Sequence, residues 1–408
     1  MKAGWEVKPL GEVCNFENGD RGKNYPGKKC FVVSGVPFIN AGLIDDGKIL
    51  WDNMNFIPED RFELLSRGKI QSGDFLFCLR GSLGKFGRYI SDKPAAIASS
   101  LVIIRPNDEI LASFFAYYLR SEHCAAEIVR LAAGAAQPNL GANDLKQFTV
   151  PIPPLEEQRR IVAVLDAAFE GLTRAEENAK ANLKNARELF EAQLKEQFDP
   201  LPKMWTRKRL DEICSKIGSG ATPRGGKNAY KVEGISLVRS LNIHDREFRH
   251  KGLAFIDIDQ ARKLSIVTVE QDDVLLNITG ASVARCAQID NTVLPARVNQ
   301  HVAIIRPIEG TIIPRFLCYE LTSEPYKKAL LKTGEDGGAT RQAITKTQIQ
   351  DLIVGYPIGK VEQNRICEKL MNAEKFSLEL KAIYRTKLTD IADLRQSLLQ
   401  KAFAGELT

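Results

Sequence analysis

The chain has 408 residues, 44% of them apolar and 26% charged, and a formal net charge of +6. That length is too great for one ordinary core and predicts two to four domains of a globular, water-soluble protein. No apolar run approaches ~18 residues, which excludes a transmembrane helix, and Met1-Lys-Ala-Gly-Trp-Glu lacks the apolar core of a signal peptide. The eight cysteines are scattered with no Cys-x-x-Cys pair, so free thiols in a cytoplasmic protein are expected rather than a disulfide or zinc framework. The mild positive charge permits a polyanionic partner without showing one.

From Trp5 to about Val150 the text is short apolar runs cut by turn-formers. Gly19-Asp-Arg-Gly, Tyr25-Pro-Gly-Lys-Lys, Asp45-Asp-Gly and Ser91-Asp-Lys-Pro separate Phe31-Val-Val, Val36-Pro-Phe-Ile, Asp74-Phe-Leu-Phe-Cys-Leu and Leu101-Val-Ile-Ile. Those four runs are predicted strands, and Ile110–Leu131 is predicted as a helix packed on their sheet. Pro151, Pro153 and Pro154 then exclude a helix interior or a central strand and end this first module, residues 1–150. After them Ile161, Leu165, Ala168, Leu172, Ala175 and Ala179 recur at steps of four and three. This is one face of a long amphipathic helix, 151–198, unbroken until Asp199-Pro200-Leu201-Pro202.

The strand-rich text then begins again. Trp205, Leu210, Glu212 and Cys214 repeat Trp5, Leu10, Glu12 and Cys14; Asp273 and Gly280 repeat Asp74 and Gly81; Ile304-Ile-Arg-Pro307 repeats Ile103-Ile-Arg-Pro106. Phe316 answers Phe115, and Arg341-Gln-Ala-Ile344 falls near the place of Gln137-Pro-Asn-Leu140. The second module, 199–357, is therefore a duplicate of the first. A second apolar ladder over 358–408 follows: Ile366, Leu370, Ala373, Leu380, Tyr384, Ile391, Leu394 and Leu398. Residues 19–60 and 218–260 share almost nothing, which is the pattern of a kept scaffold with a rewritten surface.

Each ladder spans roughly forty residues, about 60 Å of helix, and a one-sided stripe of that length needs a partner. The other copy supplies one. The expected fold class is α+β, with two strand-rich mixed modules separated by two long helices packed as an antiparallel coiled coil in a pseudo-twofold repeat. The alternative is that each helix packs on its own module. Glu156, Glu157, Glu176, Glu177, Lys180, Lys184, Arg187 and Glu188 decorate the outer face of the first helix, as a solvated surface or a docking one.

No catalytic motif emerges. Gly220-Ala-Thr-Pro-Arg-Gly-Gly-Lys-Asn228 misses a phosphate loop in spacing and in its final residue, the four histidines lack metal-ligand spacing, and no Gly-x-Ser-x-Gly elbow occurs. The divergent regions instead carry residues suited to nucleic acid. The first module offers Arg21, Lys23, Asn24, Lys28, Lys29, Arg80, Ser82, Lys85 and Arg88. The second offers Arg224, Lys227, Asn228, Arg239, Asn242, His244, Arg246, Thr279, Ser282 and Arg285. Gln137, Asn139, Arg341 and Gln342 sit in polar loops at matching places. Lys and Arg neutralise phosphates, while Arg, Asn and Gln can bond base edges in pairs. Each residue alone is more often ordinary surface; clustered and duplicated, the set points to DNA.

Pro151-Ile-Pro-Pro-Leu-Glu-Glu-Gln-Arg-Arg-Ile-Val162 and the closing Leu394-Arg-Gln-Ser-Leu-Leu-Gln-Lys-Ala-Phe-Ala-Gly-Glu-Leu-Thr408 resemble the specificity subunits of type I restriction–modification systems. The Trp-x4-Leu openings and Gln-Pro-Asn-Leu are similar too, so the resemblance covers the whole chain. It implies two target recognition domains, each reading half of a split, asymmetric double-stranded DNA sequence, and helices that set the gap and dock two methyltransferase subunits. The helix starts, Glu157, Gln158, Arg160 and Glu362, Gln363, Arg365, are the docking candidates. Restriction/translocase subunits would complete the complex. The resemblance also implies no catalytic activity or cofactor in this chain, with S-adenosylmethionine, ATP and magnesium confined to partner subunits. One departure is Pro357-Ile-Gly-Lys-Val-Glu-Gln363, where Gly359 weakens the second helix start. Two other classes stay open: a stand-alone DNA-modifying or DNA-cleaving enzyme with a coiled-coil appendage, and a solitary scaffold whose partners are lost.

Overall fold

A computed structural model of the chain describes residues 2, 4–132, 139–223, 226–335 and 343–407. The chain divides into two compact units. The first holds Met1–Ala179 and Thr386–Thr408, and the second holds Lys180–Arg385. Each therefore takes part of both long helices, Leu155–Phe198 and Lys360–Ala404. Among the described residues no helix is long and apolar enough to cross a membrane.

The first unit contains two four-stranded sheets. One is antiparallel, in the order Cys14–Asn18, Leu101–Pro106, Phe75–Cys78, Phe86–Arg88. The other runs Phe56–Ile57, Val36–Ile39, Ala95–Ile97, Lys69–Ile70, with its two central strands parallel. The second unit repeats both orders: Cys214–Ser219, Val302–Pro307, Val274–Asn277, Cys286–Gln288, and Ala254–Ile256, Ile235–Val238, Ala296–Val298, Thr268–Val269. Strands 75–78 and 274–277 are buried along their whole length, which is why they read as unbroken apolar runs. The duplication thus extends through 36–57 and 235–256, where the two sequences have no visible likeness.

Two expectations are corrected. Phe31-Val-Val is not a strand: Val32 makes one isolated bridge to Phe56, and Val33 is 98% exposed. Ile110–Leu131 is two helices, Ala112–Arg120 and Glu122–Ala132, because Ser121 leaves the helical conformation and its hydroxyl accepts from the Cys124 N–H at 3.3 Å. Ser323 separates Pro314–Thr322 from Glu324–Glu335 in the same place of the second unit. Pro151 does lie in a strand, Thr149–Ile152, opposite Val7 in a two-stranded sheet with Glu6–Pro9. A two-stranded sheet has only edges, and there the missing N–H of proline is tolerated.

The long helices run antiparallel where they meet inside each unit. In the first, Ile161 and Leu165 share a core with Leu399, Ala402 and Phe403. Arg395 there donates to Thr173 Oγ1 at 3.0 Å and pairs with Glu176, also at 3.0 Å. In the second unit Phe190, Leu194 and Phe198 join Ile366, Cys367 and Leu370, and the buried Ser377 hydroxyl donates to the Ala186 carbonyl at 2.6 Å. Leu394, expected on the buried ladder, is 48% exposed.

A fully buried glutamine fastens each helix start. Gln158 Oε1 accepts from the Leu111 N–H at 2.8 Å, and its Nε2 donates to the carbonyls of Glu109 (2.8 Å) and Pro153 (2.9 Å). Gln363 repeats the set with the Ile313 N–H (2.7 Å) and the carbonyls of Thr311 (3.2 Å) and Pro357 (2.8 Å). The departure at Gly359 leaves this arrangement intact. Gln158→Ala or Gln363→Ala leaves three backbone groups, one buried and two partly buried, without their partner and should lower stability by about 3 kcal/mol, measured by denaturant unfolding. A loss below about 0.5 kcal/mol would show that water replaces the side chain.

Glu320 marks a difference between the copies. It stands where the first unit has Tyr118, is fully buried, and accepts from the Gly355 N–H at 2.6 Å. Burial pushes its carboxyl up to about 8, against the pull of hydrogen bonds from Tyr326 and Gly355. The folded chain then keeps a proton that the unfolded chain releases near 4.3, so stability falls as pH rises between these values. Glu320→Gln keeps the acceptor for Gly355 and should flatten that slope, raising stability at pH 8 by roughly 3 kcal/mol. Parallel slopes for both proteins would exclude Glu320 as the source.

Candidate nucleic-acid interface

In the first unit a carboxylate draws two loops together. Asp20 accepts from the Gly22 N–H at 2.7 Å, the Ser66 N–H at 3.0 Å and the Ser66 hydroxyl at 2.9 Å, bonds that hold its carboxyl below the usual carboxylate range. The approach needs a missing side chain: a Cβ on Gly68, whose φ is +80°, would lie 2.9 Å from Gly19 Cα. The clamp sets Arg21 and Arg67 side by side. With Asn18, Arg80 and Asn143 they line an open cavity of about 310 Å³. Arg21 donates to the Ser99 carbonyl at 3.2 Å, and Arg80 Nε donates to Asn139 Oδ1 at 3.0 Å. Three guanidinium groups with two amides form a site for phosphate oxygens or the acceptors of a base.

The second unit has a cavity of about 600 Å³ that matches the first at one corner, where the turn after the strand Val274–Asn277 meets Ala343. Ser240, Leu241, Thr279, Ser282, Arg285 and His301 line it. The match is structural: the Leu140 N–H donates to the Leu79 carbonyl at 3.2 Å, and the Ile344 N–H to the Ile278 carbonyl at 2.8 Å. Thr279 thus occupies the place of Arg80, and Ala343 that of Asn139. Thr279 Oγ1 lies 2.5 Å from His301 Nδ1, and Arg285 lies 3.4 Å from His244 Nδ1. Burial, then the charges of Arg249 and Arg285, hold His244 below its ordinary value.

The structure gathers Arg21, Arg80 and Asn139 in one unit, and Thr279, Ser282, Arg285 and His244 in the other. Lys23 is exposed on a loop and Lys28, Lys29 and Asn228 on single 3-10 turns, while Asn24 donates to the Leu64 carbonyl at 3.1 Å. Ser82 is half-buried and closes the turn that ends at Lys85, which pairs with Asp45 at 2.8 Å. Arg88 is half-buried over the Phe75 ring, and Arg239 lies over Tyr230 and donates to the Gly252 carbonyl. Gln137, Arg224, Arg341, Gln342 and the side chain of Lys227 lie outside the described residues. Sequence reasoning missed Asn18, Arg67, Asn143, Ser240 and His301. His301 was discoverable, because Ile304 repeats Ile103 and so puts Gln300-His301 opposite Ser99-Ser100.

Several assignments are overturned by burial. Asn242 is fully buried, its Nδ2 donating to the Arg249 carbonyl at 2.8 Å and its Oδ1 accepting from the Arg239 N–H at 3.1 Å. Arg246 is nearly enclosed, bonded to Glu374 (2.8 Å) and Glu191 (2.9 Å) over the Phe190 ring. Neither can read DNA. Gln158 and Gln363 are internal fasteners, and Glu157 is 7% exposed and paired with Lys2 at 2.6 Å, so these three offer no docking surface. Arg160, Glu362 and Arg365 remain accessible, the last two paired with each other at 2.6 Å.

Two similarly folded units carrying differently lined polar cavities define a duplicated recognition scaffold. Residues 2–185 match the family model described as the type I restriction modification DNA specificity domain. A putative type I restriction enzyme specificity subunit of Methanocaldococcus jannaschii is 22% identical, covering 99% of this chain and 93% of the relative. The EcoKI specificity subunit of Escherichia coli is 21% identical, covering 100% and 90%. A chain in a solved structure concerning complex assembly and conformational transition of the type I restriction–modification system superposes with a TM-score of 0.79. It is 25% identical and covers 100% of this chain and 99% of its own. Residues 2–185 thus resemble a type I restriction modification DNA specificity domain, and the whole chain is similar in sequence and fold to type I restriction–modification specificity subunits.

The burial pattern separates structural from surface charge. Arg246→Ala should cost the second unit about 3 kcal/mol by leaving the largely buried Glu374 carboxylate unpaired. Lys28→Ala and Lys29→Ala should stay within about 0.5 kcal/mol of wild type. Urea titrations of the three variants check both, and equal midpoints would remove the structural role of Arg246.

Proposed function

We propose that each unit reads one half of a bipartite, asymmetric double-stranded DNA target, and that the two long helices set the gap between the halves. The observation carrying this reading is the repetition of one topology with a cavity beside the same turn, at Arg80 in one copy and Thr279 in the other, lined by three arginines in the first and by hydroxyls, His301 and Arg285 in the second. A single continuous target would give no reason to keep the scaffold and rewrite its loops. The exposed faces of the helices, Arg160, Glu362 and Arg365 among them, dock two DNA adenine methyltransferase subunits, and restriction/translocase subunits join the same cytoplasmic complex. S-adenosylmethionine, ATP and magnesium belong to those partners. This chain supplies the address.

An exchange of recognition units tests the reading. Because Thr149–Ile152 pairs with Glu6–Pro9, the cut belongs after Ile152, keeping both strands with one unit. Replacing residues 1–152 by the corresponding part of another family member should change one half of the methylated sequence, leaving the other half and the gap unaltered. Sequencing of methylated adenines from cells carrying the chimaeric complex reads the result. Simultaneous change of both halves would overturn the assignment.

A further inference from the structure

We infer that Arg80, oriented by Asn139, reads a guanine in the half-site recognised by the first unit. The inference rests on the bipartite reading above and assigns a base to one of its cavities. Arg80 is exposed at the end of the strand Phe75–Cys78 and its following turn, yet it is not a loose surface side chain. Its Nε is spent on Asn139 Oδ1 at 3.0 Å, and among the described residues its two Nη groups have no acceptor. They form the outward prong of the guanidinium. Two parallel N–H donors at that spacing match the O6 and N7 acceptors on the major-groove edge of guanine; adenine offers N7 alone and a donor beside it. Anchoring at Nε fixes the plane of the fork before DNA arrives, so less side-chain freedom is lost on binding.

The duplication supplies the contrast. Thr279 stands where Arg80 does and Ala343 where Asn139 does, so the second unit has replaced both members of the pair together. Thr279 is turned to His301 instead. A pair that served only to hold the turn would have no reason to vanish as a pair from a copy that keeps the strands and the turn bond on either side. Arg21 and Arg67, on the other wall of the cavity, have no side-chain amide at Nε among the described residues, Arg21 being held through Nη2 by the Ser99 carbonyl, and suit the neighbouring phosphates.

The test uses the assembled methyltransferase complex and the target found by methylated-adenine mapping. Each guanine of the first unit's half-site is replaced in turn by 7-deazaguanine, which lacks the N7 acceptor. One position should cost wild type about tenfold in affinity. The Arg80→Ala complex, itself about tenfold to a hundredfold weaker on the intact site, should lose nothing further there. Arg80→Lys, which keeps the charge without the fork, should behave alike and guards against a folding defect in one variant. Asn139 is a positioning residue: Asn139→Ala should reduce the ratio of specific to non-specific binding, and Asn139→Asp, which keeps the acceptor, should restore that ratio. A half-site without guanine, or equal 7-deazaguanine penalties in wild type and Arg80→Ala, overturns the inference alone. A target that is not bipartite, or an Arg80 variant that alters the other half-site, overturns the functional reading beneath it.

Discussion

The structure depends on two amide side chains. Gln158 and Gln363 each satisfy one backbone N–H and two carbonyls that no helix or strand can reach, at the junction where a recognition unit hands the chain to a long helix. Such a junction is hard to build from apolar residues, because the first turn of a helix leaves orphan donors and the loop beside it leaves orphan acceptors. A neutral amide meets both with one planar group, without the desolvation cost of a charge. The direction in which each helix leaves its unit is thereby fixed. Everything that the helices do afterwards, including pairing with one another, follows from that geometry.

Around these junctions the two copies keep what folds and change what faces outward. Arg105 lies against Asp74 beneath the first unit's sheet as Arg306 lies against Asp273 in the second, each carboxylate also accepting a backbone N–H of the preceding turn. Buried pairs of this kind contribute little net stability but penalise any register in which they separate. The rewritten loops can therefore vary without disturbing the strand order. Even the interior is not wholly shared: Glu320 stands in the place of Tyr118, and the second unit carries a carboxyl where the first carries a buried phenol that donates to the Thr149 carbonyl.

Much of this was legible in the sequence. The prolines, the ladders and the repeated Trp, Leu, Asp and Ile-Ile-Arg-Pro markers located both modules and both helices, because backbone punctuation and burial periodicity are local properties. What was not legible depended on contacts between distant residues. Asn242 and Arg246 look like DNA readers in a polar stretch, and only the partners that enclose them, Arg239, Arg249, Glu191 and Glu374, show that they face inward. Arg67 sits in an unremarkable Ser-Arg-Gly turn, and its place beside Arg21 comes from a carboxylate 47 residues earlier. Gln158 was read as a docking residue because the resemblance makes the helix starts docking candidates; the three backbone groups it satisfies decided otherwise.

The division of the helices between units bears on how the protein is made. The first unit completes its core with Leu399, Ala402 and Phe403, whose ring lies 5.0 Å from that of Phe114 and 6.0 Å from that of Tyr118. Those residues leave the ribosome more than two hundred positions after Ala179, a delay on the order of tens of seconds. Until then the nascent first unit exposes the aromatic surface that Phe403 will cover, while the second unit has already emerged complete. Maturation thus proceeds out of sequence order, and a ribosome that stops in the last helix beyond Arg385 releases a chain whose second unit is finished and whose first is not.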